Sequence, residues 1–182
     1  FVRTGAYERY DKCLVGKLTE YEKKRDASRT NEPFGDGSEG KKGALRGRFV
    51  FHQHDATNLH WDLRLEIDGV LTSFAVPKGP SLDPEVKHLA VHTEDHPIEY
   101  LDFEEVIPEG NYGAGPMIVW DRGTVAYLEG PAEDEVKNGK IDFFLRGQKL
   151  RGRFALVKLK KEKSQWLLHR MASDASRQPE PA

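Results

Sequence analysis

The sequence predicts a mainly β protein: a small antiparallel barrel of about eight or nine strands, with peripheral short helices and an N-terminal helix and arm. Three observations carry that expectation. From Arg46 onward, short apolar or alternating runs recur at roughly regular spacing, separated by clusters of Gly, Pro, Asn and Asp. Positions 59, 61, 63, 65 and 67 are Leu, Trp, Leu, Leu and Ile, while 60, 62, 64, 66 and 68 are His, Asp, Arg, Glu and Asp. That strict period of two describes a strand with one apolar and one ionisable face. Asp68-Gly69 then supplies the residue pair that a tight hairpin turn demands.

The elements follow in order. Residues 7–25 carry Leu14, Leu18 and Tyr21 at helical spacing, so an amphipathic helix is expected there. Arg25 to Pro33 begins an irregular arm, and Gly35 to Gly43 reads as a flexible linker. Strands are expected over 48–54, 60–67, 70–76, 88–93 and 98–103, the third ended by Pro77-Lys78-Gly79-Pro80. A glycine-rich loop over 108–115 leads to strands over 117–120 and 124–128, with Asp121-Arg122-Gly123 expected as the turn between them. A short helix near 133–138 precedes strands over 140–145, 151–159 and 165–170. The expected division is an arm at 1–45 that contributes to the site, a barrel at 46–172, and a disordered tail at 173–182 rich in Ser, Pro and Glu.

Composition sets the bounds. At 182 residues, the chain is long enough for one core. A formal net charge of −2 provides no global positive field, so any nucleic-acid contact must rest on a few local Arg and Lys. The single cysteine, Cys13, rules out an intramolecular disulfide and argues for a reducing compartment. No apolar run reaches transmembrane length, so a soluble, cytoplasmic monomer without a membrane partner is expected. The chain begins at Phe1 rather than Met, so a piece of something longer is expected.

Chemistry concentrates in residues 54–66. Six of the seven histidines fall between 52 and 96, which is clustering rather than scatter. His60 and Asp62 point the same way on their strand, with about 7 Å of backbone between them, a gap that two side chains can close around one ion. Asp55, Thr57 and Asn58 favour a turn that would fold His54 back beside His60. Two imidazoles and a carboxylate without thiolates suit Mn, Fe, Co or Zn in an open site rather than a closed structural zinc site. Arg64, next on the same face, offers a fork for phosphate or carboxylate. A half-exposed strand with incidental histidines is the plainer alternative, and the convergence of four such groups weighs against it. Lys78, His88, Glu94, His96 and Tyr100 are candidates for further charge and for proton donation, each weaker alone than the first cluster.

The motifs taken together say more. They are 49–66 (Phe-Val-Phe-His-Gln-His to Leu-Arg-Leu-Glu), 73–80 (Ser-Phe-Ala-Val-Pro-Lys-Gly-Pro) and 89–100 (Leu-Ala-Val-His-Thr-Glu-Asp-His-Pro-Ile-Glu-Tyr), followed by 107–115 and 119–123. In this order, from about Arg25 to Arg170, the series resembles the 3′-phosphoesterase domain of bacterial and archaeal DNA ligase D, an enzyme of nonhomologous end joining. The resemblance implies a small β-barrel that uses manganese, with cobalt or zinc as alternatives. It implies trimming of DNA or RNA–DNA primer–template 3′ ends, first as a ribonucleoside diesterase and then as a 3′-phosphate monoesterase. Ligase and polymerase domains, or end-binding proteins, are the implied partners, and action at the nucleoid the implied place. Carried over by motif, His54, His60 and Asp62 would hold the metal. Arg64, His96 and Tyr100 would hold the phosphate or assist the chemistry, with Lys78 and Glu94 close by. Arg25, Asp26 and Glu32 match an Arg-Asp…Glu-Pro element that the family also uses for activity.

Two positions depart from the family pattern: His52 stands where Gln is typical, and His88 where Arg is typical. Since His88 is a weaker and pH-dependent phosphate partner than Arg, reduced or pH-shifted activity is expected. His52 shares parity with His54 and could touch the metal's surroundings. Two rival readings stay open at this stage. One is a non-catalytic module that binds DNA ends around a vestigial metal site; the other is a barrel acting on a small phosphorylated molecule.

Overall fold

The computed structural model describes residues 11–35 and 42–172. The first residues of the expected N-terminal helix, most of the expected linker and the expected tail lie outside them. Nine strands are described: β1 Arg46–Asp55, β2 Leu59–Ile67, β3 Val70–Val76, β4 Lys87–His92, β5 Glu105–Ile107, β6 Gly115–Tyr127, β7 Lys140–Gly147, β8 Arg151–Lys158 and β9 Gln165–Arg170. Two α-helices accompany them, α1 Asp11–Lys23 and α2 Ala132–Asn138. The sheet runs β1-β2-β3-β4-β9-β8-β7-β6 and closes through β6 onto β1, entirely antiparallel, with β5 added beside β6. The expected small antiparallel barrel is borne out. Closure removes the unpaired edges that an open sheet of this size would expose. No described helix is long and apolar enough to cross a membrane.

The wall has two apolar faces. One cluster draws on all eight barrel strands, through residues such as Phe51, Leu63, Phe74, Ala90, Val125, Phe143, Phe154 and Trp166, and therefore fills the interior. A second cluster combines Val50, Leu71, Ile107 and Met117 with Tyr21 of α1 and Tyr100, Leu101 and Phe103. Alternation along β1 and β3 places these strand residues on the opposite face from Phe51 and Phe74, so the second cluster lies outside the barrel. The ionisable face of β2 belongs to this outer side. The arm and Ile98–Asp102 cover it: Asp62 and Arg64 are buried, and His60 is partly so.

Turn chemistry behaves as read at Asp68-Gly69, where Ile67 pairs with Val70 and both turn residues have positive φ (48° and 89°). Two expectations fail. Residues 98–103 form a 3-10 helix, Ile98–Asp102, rather than a strand. Pro97, at φ −66°, opens the turn, and burial of Tyr100 and Leu101 against the outer cluster holds it. The expected turn at Asp121-Arg122-Gly123 is instead the middle of one long strand, β6. The buried Asp121 carboxylate accepts the backbone N–H groups of Arg122, Gln148 and Leu150, so this turn-forming side chain serves the β7–β8 connection. The short β5 went unread.

Gly115 sets the distance between the glycine-rich loop and the β1–β2 turn. It has φ +133°, and a Cβ there would lie 2.1 Å from the Asp55 carbonyl oxygen. Gly115→Ala is therefore expected to destabilise the fold by about 2–4 kcal/mol, combining a strained backbone with a backbone clash. Urea unfolding midpoints of the two proteins check this; an unchanged midpoint would contradict the packing described.

Candidate metal centre and phosphate pocket

The β1–β2 hairpin makes His54 and His60 direct cross-strand partners. The turn at 56–58 folds His54 back, and the two rings stand 4.8 Å apart. Asp62 lies two residues along on the same face. His54 Nδ1 is 3.4 Å from Asp62 Oδ2, and His60 Nε2 is 3.4 Å from Asp62 Oδ1. One ligand atom from each of the three residues lies within 4.8 Å of the others. The outward nitrogens are anchored: His54 Nε2–H donates to the Gly113 carbonyl (2.7 Å) and His60 Nδ1–H to the Asn58 carbonyl (2.9 Å). Those bonds select the tautomers that aim both lone pairs inward, as ligating histidines require. The donor set fits one divalent ion with open positions.

Charge is arranged to keep this set ready. Burial alone would raise the Asp62 carboxyl, but the Arg64 guanidinium, together with the two imidazoles when a proton rather than an ion lies between them and the carboxylate, outweighs it and holds the group well below its usual range. The hydrogen bond from His60 to Asp62 raises the His60 pKa in return.

Arg64 is fixed from three sides. Nη2 donates to Asp62 Oδ2 (3.3 Å), Nη1 to Ser73 Oγ (3.0 Å) and Nε to His52 Nδ1 (3.3 Å), while its guanidinium lies 4.7 Å from the Tyr100 ring centre. Three of five N–H donors are thereby engaged, which leaves capacity for an anion. His52 is fully buried, and its Nε2–H donates to the Phe103 carbonyl (3.0 Å). Burial first, then Arg64, drives its pKa down to about 3, so it stays neutral. A neutral imidazole offers one N–H donor and one acceptor, and both are used here, toward Phe103 and Arg64.

Ser73 Oγ also meets His96 Nδ1 (3.2 Å), whose stronger bond runs to the Glu94 carbonyl (2.9 Å). His96 is buried and its pKa is driven well below normal by burial, then by Arg64 and Arg25. Its Nε2 lone pair faces Arg25 Nη2 at 3.4 Å. Arg25 binds Glu32 through Nε (2.8 Å) and Glu94 through Nη1 (3.0 Å), and Tyr100 donates its hydroxyl to Glu32 (2.7 Å). Burial raises the Tyr100 pKa, which keeps that phenol protonated.

A cavity of about 310 Å³ joins these groups, lined by His54, His60, Asp62, Arg64, Arg25, Glu32, Glu94, His96, Tyr100 and Tyr112 among others. The structure thus gathers nine of the twelve residues expected from the sequence. The other three lie elsewhere. Asp26 is exposed and accepts bonds from the Ser28 amide (3.0 Å) and hydroxyl (2.7 Å), shaping the arm. Lys78 is exposed just past β3. His88 donates from Nδ1 to the Gly79 carbonyl (2.6 Å), steadying that same loop. Ser73 went unread, although a hydroxyl in the apolar run of β3, opposite Arg64, was a readable signal. Tyr112 also went unread.

Residues 52–158 match the DNA Ligase D 3′-phosphoesterase domain. The chain belongs to that family. It is 50% identical over 153 residues to the multifunctional non-homologous end joining protein LigD of Pseudomonas aeruginosa, covering 83% of this chain and 18% of the relative. The protein of the same name from Mycolicibacterium smegmatis is 45% identical over 175 residues, covering 93% of this chain and 22% of the relative. The multifunctional non-homologous end joining DNA repair protein LigD of Mycobacterium tuberculosis is 42% identical over 168 residues, with coverages of 88% and 20%. The chain therefore spans about a fifth of the length of these curated relatives.

Two outcomes follow. Since protonated imidazole cannot ligate, and Asp62 raises the His60 pKa, divalent-ion affinity is expected to weaken as pH falls from 8 to 6. Isothermal titration at the two pH values measures it, and equal affinities would exclude His60 as a ligand. His52→Gln is expected to keep near-parental stability, whereas His52→Phe, which strands the Phe103 carbonyl and Arg64 Nε, should lose about 1–3 kcal/mol by denaturant unfolding.

Proposed function

We propose that this chain is a manganese-dependent phosphoesterase that processes DNA 3′ ends in end-joining repair. It would remove a terminal ribonucleoside as a phosphodiesterase and then the 3′-phosphate as a phosphomonoesterase. The observation that carries the reading is the aim of His54 Nδ1, His60 Nε2 and the Asp62 carboxylate at one place beside the clamped Arg64, in a chain of this family. DNA or RNA–DNA primer–template ends are the proposed substrate, and ligase and polymerase domains or end-binding proteins the proposed partners. Residues 1–45 would act as an arm of the barrel domain, lending Arg25 and Glu32 to the cavity.

His54, His60 and Asp62 would hold the ion. When bound, it supplies Lewis-acid polarisation of a phosphate oxygen, with cobalt or zinc as substitutes for manganese. Arg64 would hold a second phosphate oxygen with its remaining donors, already aligned by Asp62, Ser73 and His52. Arg25, held by Glu32 and Glu94, would present Nη2, which stands 3.4 Å from His96 Nε2, to a phosphate bound beside that ring. His96 stays neutral, and its Nε2 would offer a lone pair as a hydrogen-bond acceptor beside the phosphate. The Tyr100 hydroxyl stays protonated, and its one hydrogen, now given to Glu32, would turn from that carboxylate to the leaving oxygen. Lys78 and His88 would contact the strand beyond the reacting phosphate.

The test is a gel assay with manganese and a labelled primer–template that ends in one 3′-ribonucleotide. The parent is expected to shorten it to a 3′-phosphate and then to a 3′-hydroxyl. His60→Ala should slow both steps by more than ~100-fold, since even a group one shell beyond a metal is worth up to that much. An uncut end with bound metal would favour the non-catalytic module.

A further inference from the structure

Tyr112 is 52% exposed at the rim of the metal cavity, on a loop that is tied down on every side. The next residue, Gly113, accepts the hydrogen bond of the ligand histidine His54. The preceding residue, Asn111, donates to the Arg29 carbonyl of the arm (2.9 Å) and to the Pro108 carbonyl (3.1 Å). Gly115 seats the loop against the Asp55 backbone. Over the ring lie the Lys24 ammonium at 4.8 Å and the Arg25 guanidinium at 5.6 Å from its centre. Glu94 holds both cations, through Lys24 at 2.9 Å and Arg25 at 3.0 Å.

A scattered exposed aromatic needs no explanation. This one is different in three respects: it is held rigidly, it lines the metal cavity, and it sits one residue from the carbonyl that orients a ligand. Tyr112 shares its cavity with His54, His60, Asp62 and Arg64, so a phosphoester engaged by those four would have its attached nucleoside within the same cavity or at its rim. Aromatic faces next to cations hold nucleobases by stacking, which is sequence-tolerant because every base has a π face. Resting on the phosphoesterase reading, we propose that Tyr112 is the stacking platform for the terminal nucleobase of the 3′ end. It makes the cavity read the presence of a base without reading its identity. The Lys24–Glu94–Arg25 linkage braces the platform and joins it to the phosphate-binding groups.

The experiment separates this proposal from hydrolysis. Short single-stranded oligonucleotides with a 3′-hydroxyl are titrated by fluorescence anisotropy against parent, Tyr112→Ala, Tyr112→Phe and Tyr112→Trp, with a chelator present. The oligonucleotides carry a terminal base, a terminal abasic residue or an internal abasic residue. The parent and the two aromatic variants are expected to bind the terminal-base form about 10-fold more tightly than the terminal-abasic form. The internal abasic site should cost them little. In Tyr112→Ala the ratio should fall to about 1, while manganese titration reports that the loop and ligands are intact. Equal parental affinity for the two ends, or a preference that survives in Tyr112→Ala, overturns the proposal. A preserved ratio in a protein that trims no ends would leave the platform standing and remove the phosphoesterase reading. Trimming that is indifferent to the terminal base would do the reverse.

Discussion

The Asp62 carboxylate is the constraint around which the site is organised. An ionised carboxylate taken out of water survives only where cations and donors surround it, and removing a partner from such a group costs about 3–5 kcal/mol. Asp62 meets that requirement with His54, His60 and Arg64, each within 3.4 Å. The same contacts orient the guanidinium and bring His54 Nδ1 and His60 Nε2 to the carboxylate, where a proton or a divalent ion can lie between them, so the stability of the buried acid and the readiness of the site have one cause. Each partner is held in turn by something further out: Gly113 and Asn58 carbonyls for the histidines, Ser73 and His52 for the arginine.

This arrangement sits on the outer wall of the barrel, not in its interior. The interior is filled largely by aromatic and aliphatic side chains from all eight strands, with the His92 ring stacked on Phe74. A site on the outer wall needs a lid to lower its dielectric. The arm and the 3-10 helix supply one, through Tyr21 and Tyr100 packed on His96 at ring distances of 5.0 and 4.8 Å. Arg25, Glu32, Glu94 and Tyr100 stitch the lid to the wall with charge-assisted bonds. Burial, with Arg64 beside them, drives His52 and His96 toward their neutral forms, so these imidazoles serve as fixed hydrogen-bonding groups and not as charges.

Much of this was legible beforehand. Alternation in β2 and the Asp68-Gly69 pair determined strand, face and turn, because period two and positive φ are local properties of the chain. The cluster of His54, His60 and Asp62 was legible for the same reason: its three members share one hairpin, within nine residues. Residues 98–103 show the limit. Their spacing satisfied a strand, and burial of Tyr100 and Leu101 under the arm made them a helical turn. Asp121 shows it again, since its carboxylate satisfies amides 27 and 29 residues away rather than forming a turn.

By itself, then, the sequence determined the β class, the hairpin and the candidate metal-holding trio, through periodicity and turn chemistry that act over a few residues. Tertiary structure decided which face of the barrel carries the site and which arm residues enter it. It brought Arg25 and Glu32 beside His96 and Tyr100 from some 70 positions away, and it left Asp26, Lys78 and His88 outside the cavity. It also made Ser73 and His52 braces for Arg64 and set Tyr112 at the rim. The physical reason is that burial and long-range ion pairing depend on what lies across the fold, and no local pattern records that.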